Sequence, residues 1–318
     1  MELLQRGQVV AVPTETVYGL AANAFDSEAI KKVFEAKGRP QDNPLILHIS
    51  SFSMLELIAK EIPPLAVTLA EKFWPGSLTM IFDKKDNVPY GTTGGLDTVA
   101  VRMPDNKSTL CLIEKCGFPL AAPSANISGL PSPTTAQHVF SDMNGKIPLI
   151  LDGGACSCGV ESTVVCFTQT GVRVLRPGAV TPEMLREYCD VQIDRTVLHS
   201  LKSDEKPISP GTKYKHYSPK AEVFIVETND DEAFVEYVNS IEDETAVVLS
   251  RNADGIKKKT LAYGSTGEEE ANAVFASLRL ADELGARSVY VRAPQKDGIG
   301  LAVYNRLLRA AAFRVIEI

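Results

Sequence analysis

Apolar and polar positions alternate in short blocks through the first part of the chain. The runs "QVVAV" (8–12), "PLILHIS" (44–50), "SLTMIF" (77–82), "TVAVRM" (98–103), "PLILD" (148–152), "STVVCF" (162–167) and "VRVLRPG" (172–178) have the length and β-branched content of strands. Between them lie helical patterns such as "DSEAIKKVFEAKG" (26–38). Several runs are polar at every second position, so the pattern predicts an α/β domain with a mixed, twisted sheet rather than an all-parallel one. After residue 220 the order is strand "AEVFIVE", helix "DDEAFVEYVNSI", strands "TAVVLS" and "TLAYG", helix "EEEANAVFASLRLADELG", strand "SVYVRA", helix "GLAVYNRLLRAAAF" and strand "RVIEI". This alternation predicts a smaller Rossmann-like layer sandwich, with Ala271, Val274, Leu278 and Ala281 as one core stripe.

Between the two patterns lies "KPISPGTKYKHYSPK" (206–220), whose Pro207, Pro210, Gly211 and Pro219 sustain neither helix nor central strand. The domains are therefore placed at 1–200 and 221–318, with an ordered linker at 201–220. Tyr214, His216 and Tyr217 give that linker side chains that can dock, unlike a Gly/Ser tether.

A length of 318 residues agrees with two domains, and 44% hydrophobic with 23% charged residues agrees with a soluble, globular chain. No run of apolar residues is long enough to span a bilayer, and "MELLQRGQVV" lacks the parts of a secretory signal. The expected location is the cytoplasm, with no membrane partner. Six cysteines without paired CxxC spacing read as reduced thiols, the "CSC" at 156–158 included, and four histidines argue against a His-rich metal site. A net charge of −7 argues against a surface that grips nucleic acid throughout, although the stretch 206–220 carries four lysines and no acid.

No phosphate-loop motif is present, and "GIGLAV" at Gly298 lacks the third glycine of a dinucleotide fingerprint. Any nucleotide site must come from dispersed residues. In "EAKGRPQDNPL", Gly38 and Pro40 stop a helix and leave Lys37, Arg39 and Asn43 together, a set suited to an oligophosphate. An ordinary helix C-terminus favours the same cations. In "PLAAPSANISGLPSPTTAQHV", a strand ends in Ser124, Asn126, Ser128 and Gly129 before a helix capped by Thr134 or Thr135. Such a turn can cradle an anion or simply connect two elements. His48, Arg102, Ser162 and Arg176 stand at strand ends. Arginine in an apolar strand needs a partner, which a structural carboxylate or a bound substrate can supply.

Taken in order, "PTETVYGL", "KGRPQDNPLILHI", "VAVRMP", "APSANISGLPSPT", "ESTVV", "LRPGAV" and "SPGTKYKHYSP" make the chain resemble the threonylcarbamoyl-AMP synthase family, in its long form with an additional C-terminal domain. The resemblance implies a twisted YrdC-like α/β domain with a large cationic cavity. It implies condensation of L-threonine, bicarbonate or carbon dioxide, and ATP to threonylcarbamoyl-AMP and pyrophosphate, with Mg²⁺ arriving on ATP and no metal ligand from the protein. A separate transferase complex would then modify tRNA beside the anticodon.

Carried over residue by residue, the resemblance places Lys37, Arg39, Asn43, Ser124, Asn126 and Arg176 on the triphosphate, with Lys37, Arg39, Ser124 and Asn126 catalytic. Thr98 and Ser132 join the nucleotide side, and Tyr214, His216 and Tyr217 close over it. Thr16, His48, Arg102, Ser162 and the backbone at Ala122 hold threonine, with Tyr18 as the pocket wall. The same resemblance leaves a double-stranded RNA-binding module as the alternative. A carbamoyltransferase of the hydrogenase-maturation type would add zinc-finger cysteines that the sequence lacks.

Overall fold

The apolar runs of the first half assemble into one mixed sheet in the computed structural model, which describes residues 1–199 and 217–318. The strands are β1 (Val10–Val12), β2 (Gly19–Asn23), β3 (Ile46–His48), β4 (Leu78–Asp83), β5 (Thr98–Arg102), β6 (Leu120–Ala121), β7 (Thr163–Phe167), β8 (Gly171–Arg176) and β9 (Asp190–Ile193). Among the described residues their order is β1-β2-β6-β3-β5-β4-β7-β8-β9, with β3·β5, β4·β7 and β8·β9 parallel and the other pairs antiparallel. The parallel register sets His48 beside Arg102, and across β6 it sets His48 opposite Leu120. Two polar strand ends thus come together on one face.

The run "PLILD" makes only a bridge, Ala11 to Ile150, because Pro148 and the Asp152-Gly153-Gly154 turn leave it no ladder. Conversely β2, β6 and β9 have no strong apolar alternation. β2 is mostly glycine and alanine, β6 is two residues long, and β9 is largely exposed.

The helix Ser27–Lys37 starts where the Asp26 carboxylate accepts from the backbone N–H groups of Glu28 and Ala29, and it ends at Gly38 in the left-handed region, φ 65°. Its buried face, Ala29, Ile30, Val33 and Phe34, fixes it on the sheet and leaves Lys37 as its last residue. Thr135 caps the helix Ala136–Met143 through the His138 N–H.

The second unit is an all-parallel sheet in the order β12-β11-β13-β10-β14, built from β10 (Glu222–Glu227), β11 (Val247–Ser250), β12 (Lys259–Ala262), β13 (Ser288–Arg292) and β14 (Val315–Glu317). The helix Asp231–Ser240 packs Phe234 and Val238 on one face. The helices Gly267–Glu283 and Gly300–Ala310 cover the other, and the stripe Ala271, Val274, Leu278 and Ala281 is buried there.

Those two helices also clamp the second unit to the first. Val17 and Val160 belong to the second unit's core, and Arg279 grips the Asp142 carboxylate with two bonds, 2.7 and 3.1 Å. Asn305 and Arg309 donate to the carbonyls of Val197 and Thr196, both at 2.6 Å. The six cysteines are unpaired, and burial pushes the Cys156 thiol up to about 12, so it is no ready nucleophile. No helix among the described residues is long and apolar enough to cross a membrane.

Candidate active site

Strand ends and turns converge on one cavity. Lys37, Arg39 and Asn43 come to it from the helix end and the loop that follows, and His48 and Arg102 from β3 and β5. Ala122, Ser124 and Asn126 come from the turn after β6, Ser162 and Arg176 from β7 and β8, and Tyr217 from the edge of the second unit.

On one side the lining is cationic. The Lys37 ammonium donates to the Ser124 carbonyl and, at 2.9 Å, to the Asn126 carbonyl, with the residue only 2% exposed. Burial, and then neighbouring Arg39, hold its pKa well below the ordinary lysine value. Asn126 is tied down through its Nδ2 to the Ile127 and Leu130 carbonyls, at 2.8 and 2.9 Å, which leaves its buried Oδ1 without a partner. Asn43 Oδ1 is likewise buried and unpartnered. Arg176 donates from Nε to the Ser162 carbonyl at 3.0 Å and from Nη2 to Ser162 Oγ at 3.2 Å. Among the described residues no ion pair joins Lys37 or Arg176 to a carboxylate. Two buried cations facing one cavity without counter-ions are costly unless an anion comes to them.

On the other side Arg102 is the centre. It donates from Nε to the Gly76 carbonyl at 3.0 Å and from Nη1 to Thr16 Oγ1 at 2.8 Å, and its Nη2 meets the Glu15 carboxylate. Thr14 Oγ1 lies 2.8 Å from Thr16 Oγ1 and donates to the Val17 carbonyl, which stiffens the turn. Two of the five guanidinium protons are hydrogen-bonded and Nη2 is ion-paired with Glu15, so at least two protons remain for a ligand carboxylate. The sequence left a structural acid and a substrate as alternatives, and the geometry accommodates both.

His48 Nδ1 sits 3.2 Å from the Ile46 carbonyl, and with the ring proton on Nδ1 the Nε2 is an acceptor. Burial, and then Arg102, push its pKa from 6.5 down to about 3. An unfolded chain takes up a proton near 6.5 that the folded ring refuses, so stability from His48 is present above that pH and drains away toward 3. The expected slope is at most about 1.4 kcal/mol per pH unit. His48→Gln should therefore flatten the loss of stability on acidification, as read by urea midpoints at about pH 7 and pH 5.

Several residues assigned from the sequence lie outside the cavity lining. Tyr18 is fully buried and points away from the cavity, donating to the Gly154 carbonyl at 2.7 Å and accepting from the Gly153 N–H at 3.0 Å. It braces a turn and forms no pocket wall. Thr98 opens β5, opposite Asp83 and at the far end of the strand from Arg102, and is not among the lining residues. Ser132 lies behind the lining, where its hydroxyl donates to Glu161 Oε1 at 2.5 Å. Tyr214 and His216 lie outside the described residues, whereas Tyr217 does line the cavity and packs on Phe275 with ring centroids 5.1 Å apart.

Sequence reasoning passed over Glu15, Glu161 and Gly178. The two acids stood inside the quoted motifs "PTETVYGL" and "ESTVV", next to residues that were chosen. At Gly178 a Cβ would lie 2.4 Å from the Thr163 nitrogen and 2.7 Å from the Glu161 carbonyl oxygen. Only glycine lets the turn after β8 lie this close to β7 and seat Arg176 on Ser162. Gly178→Ala is expected to raise the KM for an anionic substrate about tenfold or more by displacing Arg176, which steady-state kinetics would show.

An α/β fold whose strand ends surround a deep cavity with uncompensated cations defines an enzyme that handles an anionic substrate. Residues 2–178 match the Sua5/YciO/YrdC family, described as "Telomere recombination", and residues 180–312 match "Threonylcarbamoyl-AMP synthase, C-terminal domain". The threonylcarbamoyl-AMP synthase of Pyrococcus abyssi is 46% identical over 99% of this chain and 94% of its own length. That of Bacillus subtilis is 42% identical over 99% of this chain and 92% of its own. A crystal structure of P. abyssi Sua5 complexed with L-threonine superposes with a TM-score of 0.94, at 46% identity, over 100% of this chain and 94% of that one. The chain belongs to the threonylcarbamoyl-AMP synthase family, enzymes of the nucleotidyltransferase type, in the two-domain form.

Proposed function

We propose that the protein condenses L-threonine, bicarbonate or carbon dioxide, and ATP into threonylcarbamoyl-AMP and pyrophosphate. The observation that carries this is the pair of buried cations, Lys37 and Arg176, which have no direct ion-pair partner among the described residues and face the same cavity as Arg102 and His48. A polyanion and an amino acid bound side by side satisfy both halves. The complex of L-threonine with P. abyssi Sua5 supports the amino-acid half.

In this reading the threonine carboxylate takes the two open donors of Arg102, and its hydroxyl donates to His48 Nε2. An analogue without the hydroxyl leaves that buried acceptor unpaired, which is a strong basis for rejection. Ser162 and the backbone at Ala122 complete this side. The neutral threonine amine bonds to the carbon of carbon dioxide as one C–O π bond opens, and the released N–H proton passes to solvent, leaving a carbamate. One carbamate oxygen then bonds to the α-phosphorus as the bond from that phosphorus to the departing pyrophosphate oxygen breaks. Lys37, Arg39 and Arg176 hold the triphosphate and stabilise the charge that develops, so catalysis is positioning and neutralisation without a protein nucleophile. His48, pushed down to about 3, is a hydrogen-bond partner and no base at neutral pH. Mg²⁺ bound with ATP would neutralise part of the triphosphate charge. The unpartnered oxygens of Asn43 and Asn126 suit such a hard ion or its waters.

The product would pass to a separate transferase complex for tRNA threonylcarbamoyladenosine modification in the cytoplasm. An RNA-binding role is not favoured, because relatives matched over the full length are named as synthases. The test is pyrophosphate release by the full chain with ATP, Mg²⁺ and bicarbonate. Release should depend on L-threonine and be at least about a hundredfold weaker with L-valine, which lacks the hydroxyl. Release indifferent to threonine would refute the reading.

A further inference from the structure

One charged residue at the cavity comes from neither substrate-binding side. Glu161 lines the cavity immediately before Ser162, the residue on which Arg176 rests, and is 7% exposed. Its carboxylate is nevertheless fully occupied elsewhere. Oε1 accepts from Ser132 Oγ at 2.5 Å, and Oε2 accepts from Arg306 Nε at 2.7 Å. Arg306 comes from the helix Gly300–Ala310 of the second unit and is completely buried. It also donates from Nη2 to the Glu161 carbonyl at 3.2 Å and from Nη1 to Asn305 Oδ1 at 2.8 Å, and it stacks 5.7 Å from the centre of the Tyr217 ring. The second unit thus delivers a cation to a carboxylate that stands beside Arg176.

The consequence is electrostatic. Burial alone would drive the Glu161 carboxyl up, but Arg306, and after it Arg176, outweigh this and hold it below the usual range. Both arginines therefore feel this carboxylate. Arg306 takes it with a direct hydrogen bond, and Arg176 is left with Ser162 and three unengaged guanidinium protons. Without Arg306, the buried charge on Glu161 would have Arg176 as its other cation. An ion pair between them would withdraw Arg176 from the cavity.

We propose that Arg306 is a positioning residue for the triphosphate side: by occupying Glu161 it keeps that carboxylate off Arg176 and leaves the Arg176 guanidinium open to the polyphosphate. This gives the C-terminal unit a part in nucleotide binding besides its packing against the first unit. The inference rests on the reading of this cavity as an ATP site.

The test is calorimetric titration of the full-length protein with Mg²⁺–ATP in the absence of threonine, together with KM values for both substrates. Arg306→Met should weaken ATP binding about tenfold, equivalent to about 1.4 kcal/mol, and leave the threonine KM within about twofold. Arg306→Lys, which keeps the charge, should lose about threefold or less. The decisive variant is Glu161→Gln combined with Arg306→Met. Removing both charges should restore ATP affinity to within about threefold of the parent, something lost packing alone would not do. If Arg306→Met binds ATP like the parent, or the double variant binds about tenfold more weakly than the parent, the inference is overturned. If Arg306→Met does not fold, the double variant decides by that same comparison. Failure of the parent chain itself to bind ATP would instead strike the underlying reading of the cavity.

Discussion

Lys37→Met should lower kcat/KM for ATP by about a hundred- to a thousandfold while shifting the melting temperature little. Lys37 is 2% exposed, and its ammonium reaches the Ser124 and Asn126 carbonyls at the turn that also carries the unpartnered Asn126 oxygen. Methionine keeps the length of the buried stem. The variant loses two donated hydrogen bonds, each worth about 1 kcal/mol net, but it is also relieved of a desolvated charge, and the two effects oppose each other. In the ATP complex nothing opposes the loss. A pKa held well below its ordinary value in the empty site returns toward normal when phosphates arrive, so the ammonium interacts most strongly with the charge it is meant to meet. Steady-state kinetics in ATP and a thermal melt, run on the same preparation, check both halves. A large fall in melting temperature with unchanged kinetics would mean that Lys37 is a structural tie between the helix end and the turn.

The second large effect is on threonine. Arg102→Met should raise the threonine KM by about a hundredfold or more and leave ATP affinity within about threefold. Arg102 is 3% exposed and serves Gly76, Thr16 and Glu15 at once, so its loss also strands a carboxylate whose side chain is 12% exposed. Stranding a buried partner costs about 2–5 kcal/mol, and the single variant is expected to be less stable. Combining it with Glu15→Gln should recover much of that stability without recovering threonine affinity. This separates the two duties of Arg102. Recovery of threonine affinity in the double variant would show that Arg102 acts only on the fold.

The sequence carried much of this site because the residues that matter stand at the ends of apolar runs. His48, Arg102, Ser162 and Arg176 each terminate or adjoin a strand whose apolar content was plain, and the structure gathers all four at one cavity. Lys37 and Arg39 were legible for a related reason, since Gly38 at positive φ ends the helix between them. β2 and β9 were not legible. Strands of alanine and glycine, or of mostly exposed positions, are held by neighbouring strands rather than by their own propensity.

Tyr18 shows another limit. Its neighbours place it beside the threonine-side turn, but only the three-dimensional path shows the ring turned toward Gly153 and Gly154, about 135 positions away. The Glu161–Arg306 pair is separated by 145 positions and joins two units. The one sign of Arg306 in the sequence was a cation on the helix Gly300–Ala310, every residue of which is buried.

The most direct measurement is mass spectrometry of the product formed by the full-length protein from ATP, L-threonine and isotope-labelled bicarbonate. The account predicts an adenylate that contains threonine and carries the label, formed together with pyrophosphate and absent when any one substrate is withheld. Turnover of ATP without a labelled, threonine-containing adenylate would contradict it.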